Sequence, residues 1–442
     1  MEYILRDVDG ELLKWKYSDN RMPLLIRGAR QVGKTSSVRH LGKSFKHYVE
    51  IDLNEHRELH GLFSQVLTPK EICRQISYIV NIPIVAGETL LFIDEIQACP
   101  DAINKLRYFY EQYPELHLIA AGSLLEFVLG DLPSFGVGRI RSVFMYPLGF
   151  EEFLRANNEE MLAVAYRNAS PQNPLVEIVH NKLLQRFHTF ILMGGMPKVV
   201  SEYVASQDLR NCQLVLNDLV ESYKDNFKKY HRRIAEERLT MVLESVARQH
   251  QGRFVYSNVN DNLSLSQVKL TLDLLVKAGL VYPIVHSSAN GLPLGAEVNE
   301  RYQRMALFDT GVLLRMLGLN LADLVIQDIE NLSNKGSLAE VFVASEIMKA
   351  GSCYERKRLY CWHREKKDSQ AKVDYVIQVG QGIVPIEVKS SDKGSMQSLR
   401  IFMKEKNSDY GVRTSMENFA RYDNIRVYPL YAISNLLKDN NL

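Results

Sequence analysis

The sequence predicts an α/β architecture: a parallel sheet over the first third of the chain and a second α/β domain over the last third. Three observations carry this. Short apolar runs at Leu24-Leu25-Ile26, Leu90 to Ile93 and Leu116 to Ala121 alternate with stretches of helical character. Strands that are apolar on both faces and separated by helices belong to parallel sheets covered on both sides. The first run opens into Gly28-Ala29-Arg30-Gln31-Val32-Gly33-Lys34-Thr35, the pattern GxxxxGK[ST]. Near the other end, two alternating segments flank Gly380-Gln381-Gly382, which predicts a hairpin.

Length and composition fit several globular domains. The chain has 442 residues, 46% of them hydrophobic and 24% charged, which excludes a mainly disordered or fibrous chain. The net charge is +2, which excludes a surface coated throughout in nucleic acid. Five scattered cysteines with no CxxC pair point away from a disulfide scaffold and toward a reducing, cytoplasmic setting. The first residues include Glu2, Asp7 and Asp9 and lack the apolar core of a signal peptide. No apolar run approaches the ~18 residues a spanning helix needs, so no membrane partner is expected.

Taken in order, residues 1–20 read as a short helix before the first strand. The glycine-punctuated loop follows that strand, and a polar helix begins near Lys34. The loop glycines let the backbone curl so that its N–H groups face phosphates, and the helix start offers further N–H groups. Gly28, Ala29, Arg30, Gln31, Val32, Gly33, Lys34, Thr35 and Ser36 are therefore the candidate nucleotide cradle. Lys34 is placed to reach the outer phosphates and Thr35 to hold Mg²⁺. The alternative is a glycine-rich turn that binds nothing.

The second run ends in Asp94-Glu95. Asp94, at the end of a buried strand, is placed to support Mg²⁺, and Glu95 to orient an attacking water. The third run ends in Gly122-Ser123, where Ser123 is a candidate contact to the outer phosphate. Arg139 and Arg141 are candidates for neutralising transition-state charge, with a solvated loop pair as the alternative.

Beyond Pro147 the pattern becomes helical. Residues 150–230 form long helical stretches broken at 169–174 and at Gly194-Gly195-Met196-Pro197. Residues 235–285 read as short helices leading to a hairpin. Val268, Leu272, Leu275 and Val276 recur at helical spacing, and Gly279 is a stop. Residues 223–238 interleave Lys224, Lys228, Lys229, His231, Arg232 and Arg233 with Tyr223, Phe227 and Tyr230. Such a segment suits a phosphate backbone with stacked bases, or a solvated face with its aromatics turned inward.

In the predicted hairpin, period two places Glu387 and Lys389 on one face. Asp374 shares it if 374 pairs opposite 387, and a one-residue slip points the acids apart. A four-residue loop or a bulge is expected to bring them together. Two acids and a lysine on one face are the constellation of PD-(D/E)XK nucleases: Asp374 and Glu387 for a metal ion, Lys389 to activate water or steady developing charge. On the helix from Gly336, Glu340 falls in an apolar stripe with Val343, Ala344 and Ile347. It therefore needs a partner, for which a metal or Lys389 would serve. His363, Arg364, Lys366 and Lys367 precede the hairpin as candidate phosphate contacts or as a basic surface loop.

Several of these elements together resemble a large prokaryotic family of AAA-type ATPases that carries a carboxy-terminal domain of unknown function. They are the Ile26–Thr35 segment, Leu91 to Gln97, Ala121-Gly122-Ser123, Pro147-Leu148-Gly149-Phe150-Glu151-Glu152-Phe153, Gly195-Met196-Pro197, Phe308-Asp309-Thr310-Gly311, Val373-Asp374-Tyr375 and Pro385 to Lys389. The resemblance implies ATP and Mg²⁺ as ligands and an AAA-like P-loop ATPase core over residues 1–150. A helical lid would follow over 151–230, then a winged-helix-like domain over 231–295 and an α/β restriction-endonuclease-like domain over 296–442. A helical Glu before the hairpin belongs to that nuclease fold, which gives Glu340 a role; Val373 stands where the motif has its proline. The function expected is ATP binding and hydrolysis controlling the nuclease-like domain, with DNA or RNA, a second copy or another protein as candidate partners. The alternative is a non-cleaving, ATP-dependent switch or scaffold.

Overall fold

The computed structural model describes residues 3–122, 125–129, 138–226, 235–250, 252–321, 335–365, 371–389 and 396–438. The chain divides into two compact units. The first is residues 1–146 with 352–356, and the second is 147–351 with 357–442.

The first unit holds a five-stranded sheet in the order β2-β3-β4-β1-β5, built from β1 (Leu24–Arg27), β2 (His47–Asp52), β3 (Thr89–Asp94), β4 (His117–Ala121) and β5 (Arg141–Phe144). Every pairing is parallel. The predicted runs at 24, 90 and 116 are its three central strands. Each residue of β3 and β4 is buried, as a sheet covered on both faces requires. Strands β2 and β5 were not legible, because the edge strands alternate weakly and carry polar residues. Leu25, Val49, Ile51, Leu91, Ile93, Ile103 and Leu106 share one core cluster. Helix Asp7–Lys16 precedes β1, and helix Lys34–Gly42 follows it directly after the glycine loop.

The second unit begins with helices Phe150–Ala156, Glu160–Asn168, Glu177–Met193, Pro197–Ser206 and Leu209–Asn226. The expected breaks fall between them. Phe150 packs against Phe153, Tyr166, Phe187, Phe190 and Tyr431, which ties these helices to the end of the chain. Helices Glu236–Arg248 and Leu265–Lys277 lead into β6 (Val281–Ser287) and β7 (Val298–Leu307), an antiparallel pair. Ser264 caps the second of these helices, its hydroxyl accepting from Gln267 N–H while Gln267 Oε1 accepts from Ser264 N–H.

The same eight-stranded sheet runs β12-β13-β11-β10-β9-β8-β6-β7. It adds β8 (Leu359–His363), β9 (Lys372–Val379), β10 (Gly382–Val388), β11 (Gly411–Ser415), β12 (Ala420–Tyr422) and β13 (Ile425–Pro429). Helix Lys335–Lys349 precedes the antiparallel run β8-β9-β10, and helix Gln397–Lys406 leads to β11, parallel to β10. The expected boundary at 295/296 falls between β6 and β7, which hydrogen-bond to each other, while β6 also pairs with β8. The Ser-, Gly- and Pro-rich stretch 287–295, whose composition suits a hairpin wing or a linker, is the connection of the β6–β7 hairpin.

Three of the motifs meet inside this unit. Buried Asp309 accepts from Gly195 N at 2.7 Å and from Val312 N at 3.0 Å, capping helix Thr310–Met316. Gly194 has φ +75°, and a Cβ there would lie 2.2 Å from Asp309 Oδ1. A Cβ at Gly195 would lie 2.2 Å from Leu148 O, and one at Gly311 2.1 Å from Met193 O. The glycines are needed because backbones and a carboxylate close-pack there.

Candidate functional site

The phosphate-binding loop leaves the carboxyl end of β1 and runs into helix Lys34–Gly42. Gly33 (φ +98°) is the residue before that helix, and Gln31 (φ +63°) is also left-handed. Such strained conformations concentrate at functional loops. Gly28 has φ +145°, and a Cβ on it would lie 2.2 Å from Met145 O. Buried Lys34 folds back on the loop and donates to Gly28 O at 3.0 Å and Ala29 O at 2.8 Å. Burial pushes its ammonium down to about 8, against the pull of Glu95 and Asp94. A buried cation that donates to carbonyls, with two carboxylates near it, fits a site for an anion with its metal ion.

Thr35 Oγ1 donates to Asp94 Oδ2 at 2.6 Å, which joins the start of the helix to the end of β3. Burial raises the Asp94 carboxyl, offset by the bond from Thr35 and the backbone N–H of Glu95. A hydroxyl and a carboxylate in contact beside a buried lysine are oxygen donors that would suit Mg²⁺. Glu95 is left-handed at φ +47°, and Gln97 Nε2 donates to its carboxylate. Gly122, at the end of β4, leaves room for Gln97: a Cβ there would lie 2.0 Å from Gln97 Oε1. β4 lies between β1 and β3, so Gly122 at its end stands between the strands that carry the loop and the acids.

Ser36 is exposed, and Arg139 sits in a loop where it pairs with Glu111. Arg141 stacks over Tyr354. Ser123, residues 227–234, Lys366 and Lys367 lie outside the described residues.

The second cluster lies in the second unit. β9 and β10 are joined by two residues, Gly380 and Gln381, with Val379 opposite Gly382 and Tyr375 opposite Ile386. Asp374 and Glu387 are the residues that follow this last pair on each strand. Of the expected four-residue loop or bulge, the loop is corrected: the turn has two residues, with Gly380 at φ +58°, while the irregularity lies in β9, whose pairing with β8 shifts register across Asp374. Lys389 Nζ donates to Glu387 Oε1 at 2.6 Å, and Asp374 Oδ2 accepts from Val388 N at 2.9 Å. Among the described residues, buried Glu387 Oε2 has no hydrogen-bond partner. Burial and the nearby Asp374 charge push Glu387 up to about 7, against Lys389. An orphaned buried carboxylate oxygen beside a second carboxylate fits a cation.

Glu340 is nearly buried, and the side chain that pairs with it is Arg304 rather than Lys389. Arg304 of β7 donates to Glu340 Oε2 through Nη1 and to Asp374 O through Nη2. Nη1 also lies 3.9 Å from Asp374 Oδ1. The sequence could not show this, because β7 joins the sheet far from β9 in the chain. Burial and Asp374 push Glu340 up to about 7, against the Arg304 charge. Burial draws Arg304 down, yet Glu340, Tyr375 and Asp374 outweigh it and hold the guanidinium above its ordinary value. Tyr375 OH donates to Glu340 O at 2.7 Å.

A third group, His286, His363 and Glu365, brings potential ligand atoms within 4.8 Å of one another. His286 Nδ1 accepts from His363 N at 3.3 Å, so in the neutral ring Nε2 carries the proton and faces Glu365 Oε1 at 3.2 Å. That is a hydrogen-bonded network, with no lone pair on Nε2 to offer a metal.

Arg6, Gln97 and Arg304 escaped the sequence reading. Only Gln97, two residues after Glu95, carried a local signal.

Residues 20–154 match the family described as "AAA domain". Residues 184–323 and 335–433 match two domains of unknown function, DUF8612 and DUF4143. No curated protein matches the chain significantly. Among solved structures, the chain is similar to the Walker-type ATPase PABY2304 of Pyrococcus abyssi, with 16% identity and a TM-score of 0.45, over 72% of this chain and 96% of that one. It is also similar to the Aeropyrum pernix ORC1 protein in complex with DNA, with 14% identity and a TM-score of 0.29, over 71% and 93%. A third is the Thermotoga maritima RuvB Holliday junction branch migration motor, with 16% identity and a TM-score of 0.27, over 67% and 93%. Among the described residues no helix is long and apolar enough to cross a membrane. The family match and the loop geometry together support an AAA-type ATPase domain over residues 20–154.

Proposed function

We propose that this protein binds and hydrolyses Mg²⁺-bound ATP and that its nucleotide state controls a nuclease-like site in the second unit that acts on nucleic acid. In the first unit Lys34 binds the outer phosphates, releasing its bonds to Gly28 O and Ala29 O. Thr35 and Asp94 would hold Mg²⁺, which neutralises phosphate charge when bound. Glu95, oriented by Gln97, aligns the attacking water and accepts its proton.

In the second unit Asp374 and Glu387 would hold a divalent ion, which polarises a phosphodiester when bound. Lys389, bonded to Glu387, sits where it can steady negative charge developing on that phosphate. The observation that carries this reading is the orphaned Glu387 Oε2 beside Asp374 and Lys389. One observation favours the non-cleaving alternative: Arg304 pairs with Glu340 and lies 3.9 Å from Asp374, so a side chain already meets part of the acids' charge. In that case the second unit would bind DNA, RNA or a protein partner without cutting it.

The test incubates the purified protein with single- and double-stranded DNA and RNA, in Mg²⁺ or Mn²⁺, with and without ATP. Asp374→Ala and Lys34→Ala variants run alongside. The reading expects cleavage that Asp374→Ala abolishes and that Lys34→Ala uncouples from ATP. Binding without cleavage by the wild type would favour the switch, and absence of ATP turnover would overturn the reading of the first unit.

A further inference from the structure

We propose that Arg6, outside the matched AAA segment, is a positioning residue for the nucleotide: it fixes the peptide between Val32 and Gly33 so that the Gly33 N–H faces the bound phosphates. The inference rests on the ATPase reading of the first unit and adds a residue to it.

Arg6 directly precedes helix Asp7–Lys16, and its guanidinium is buried. Nη1 donates to Val32 O at 2.9 Å and Nη2 to Tyr146 O at 2.8 Å. In a trans peptide the C=O and the following N–H point in opposite directions. Holding Val32 O toward Arg6 therefore turns the Gly33 N–H away from it, to the other side of the loop. Left to itself that peptide has freedom to rotate, since Gly33 at φ +98° carries no Cβ to restrain it. A charge-assisted bond from a buried guanidinium removes that freedom before nucleotide arrives, which is pre-organisation.

The surrounding contacts keep Arg6 in place. Its own N–H donates to Asp9 Oδ2 at 2.8 Å, and Asp9 accepts from Tyr3 OH at 2.8 and 2.9 Å. Tyr3 OH also lies 2.9 Å from Ser37 Oγ, and its ring stacks on His40 with centroids 4.2 Å apart. Residues 3–9 thus grip both the loop and the helix that follows it. The second Arg6 bond ties the loop to Tyr146, one residue after Met145, whose O lies against Gly28.

An amide that meets the phosphates in ground state and transition state alike changes KM more than kcat. The experiment measures Mg·ATP dissociation constants and steady-state hydrolysis for the wild type, Arg6→Met, Arg6→Lys and Leu12→Ala. Leu12 is buried on the same helix and has no polar contact with the loop, so it reports plain destabilisation. Arg6→Met is expected to raise Kd and KM by about tenfold with kcat within about threefold, from the loss of charge-assisted bonds. Arg6→Lys, reaching one carbonyl rather than two, should fall between, and it carries the test if Arg6→Met does not fold. Leu12→Ala should lower Tm and leave Kd unchanged. Wild-type Kd in either Arg6 variant, or an equal rise in Leu12→Ala, would overturn the proposal. A wild type that binds no nucleotide would overturn the ATPase reading itself.

Discussion

Removing the Arg304 guanidinium isolates a buried carboxylate. In Arg304→Met the side chain keeps its bulk, but Glu340 loses its hydrogen-bonded cation and Asp374 O loses its donor. Side-chain exposure of Arg304 and Glu340 is 10% and 17%, so water replaces little of what is lost. Breaking one side of a buried pair costs about 3–5 kcal/mol. At about 2–4 °C per kcal/mol, the second unit's Tm should fall by roughly 6–20 °C near pH 8.

The cost depends on pH with a definite sign. Glu340 has a folded-state value of about 7, above its ordinary 4.5. Its contribution to stability is therefore complete below its unfolded value and is lost as pH rises through about 7. Arg304 matters most once Glu340 is ionised, so the loss should shrink at pH 5.5. Adding Glu340→Gln removes the isolated charge, and the double variant should recover most of the stability. The assay is thermal or urea unfolding of the four proteins of this cycle at both pH values. A loss under about 1 kcal/mol at pH 8, or a double variant no better than Arg304→Met, would refute the reasoning.

Three further outcomes are expected. Glu95→Gln should retain ATP binding while kcat falls by roughly 10²–10⁴, as loss of a general base does; equal losses in binding and kcat would count against its role. Because burial holds Lys34 near 8, the fraction of free protein with a charged Lys34 falls above that pH. ATP affinity should weaken as pH rises through about 8, with proton uptake on binding, read by calorimetry in buffers of different ionisation enthalpy. Gly194→Ala must place a methyl 2.2 Å from Asp309 Oδ1 at φ +75°, so it should cost several kcal/mol; a neutral effect on Tm would show that Asp309 can move.

The phosphate-binding loop, the acids at the end of β3, the three central strands and the alternating hairpin were legible in the sequence. Each is a local feature: a glycine spacing, an apolar run or a period of two, encoded within about ten adjacent residues. The sequence determined which residues stand at the ends of which strands. It left open whether Asp374 faced Glu387, because a one-residue slip suits the same pattern and the choice falls to the turn and to the irregularity in β9. It also could not find Arg304, Arg6 or Asp309 as partners. Those depend on β7 entering the sheet, on residues 3–9 lying under the loop, and on the loop at Gly194-Gly195 meeting the start of helix Thr310–Met316. A buried charge or carbonyl takes its partner from whatever segment packs beside it. That choice belongs to the tertiary structure, since residues distant in the chain become neighbours only when the core closes around them.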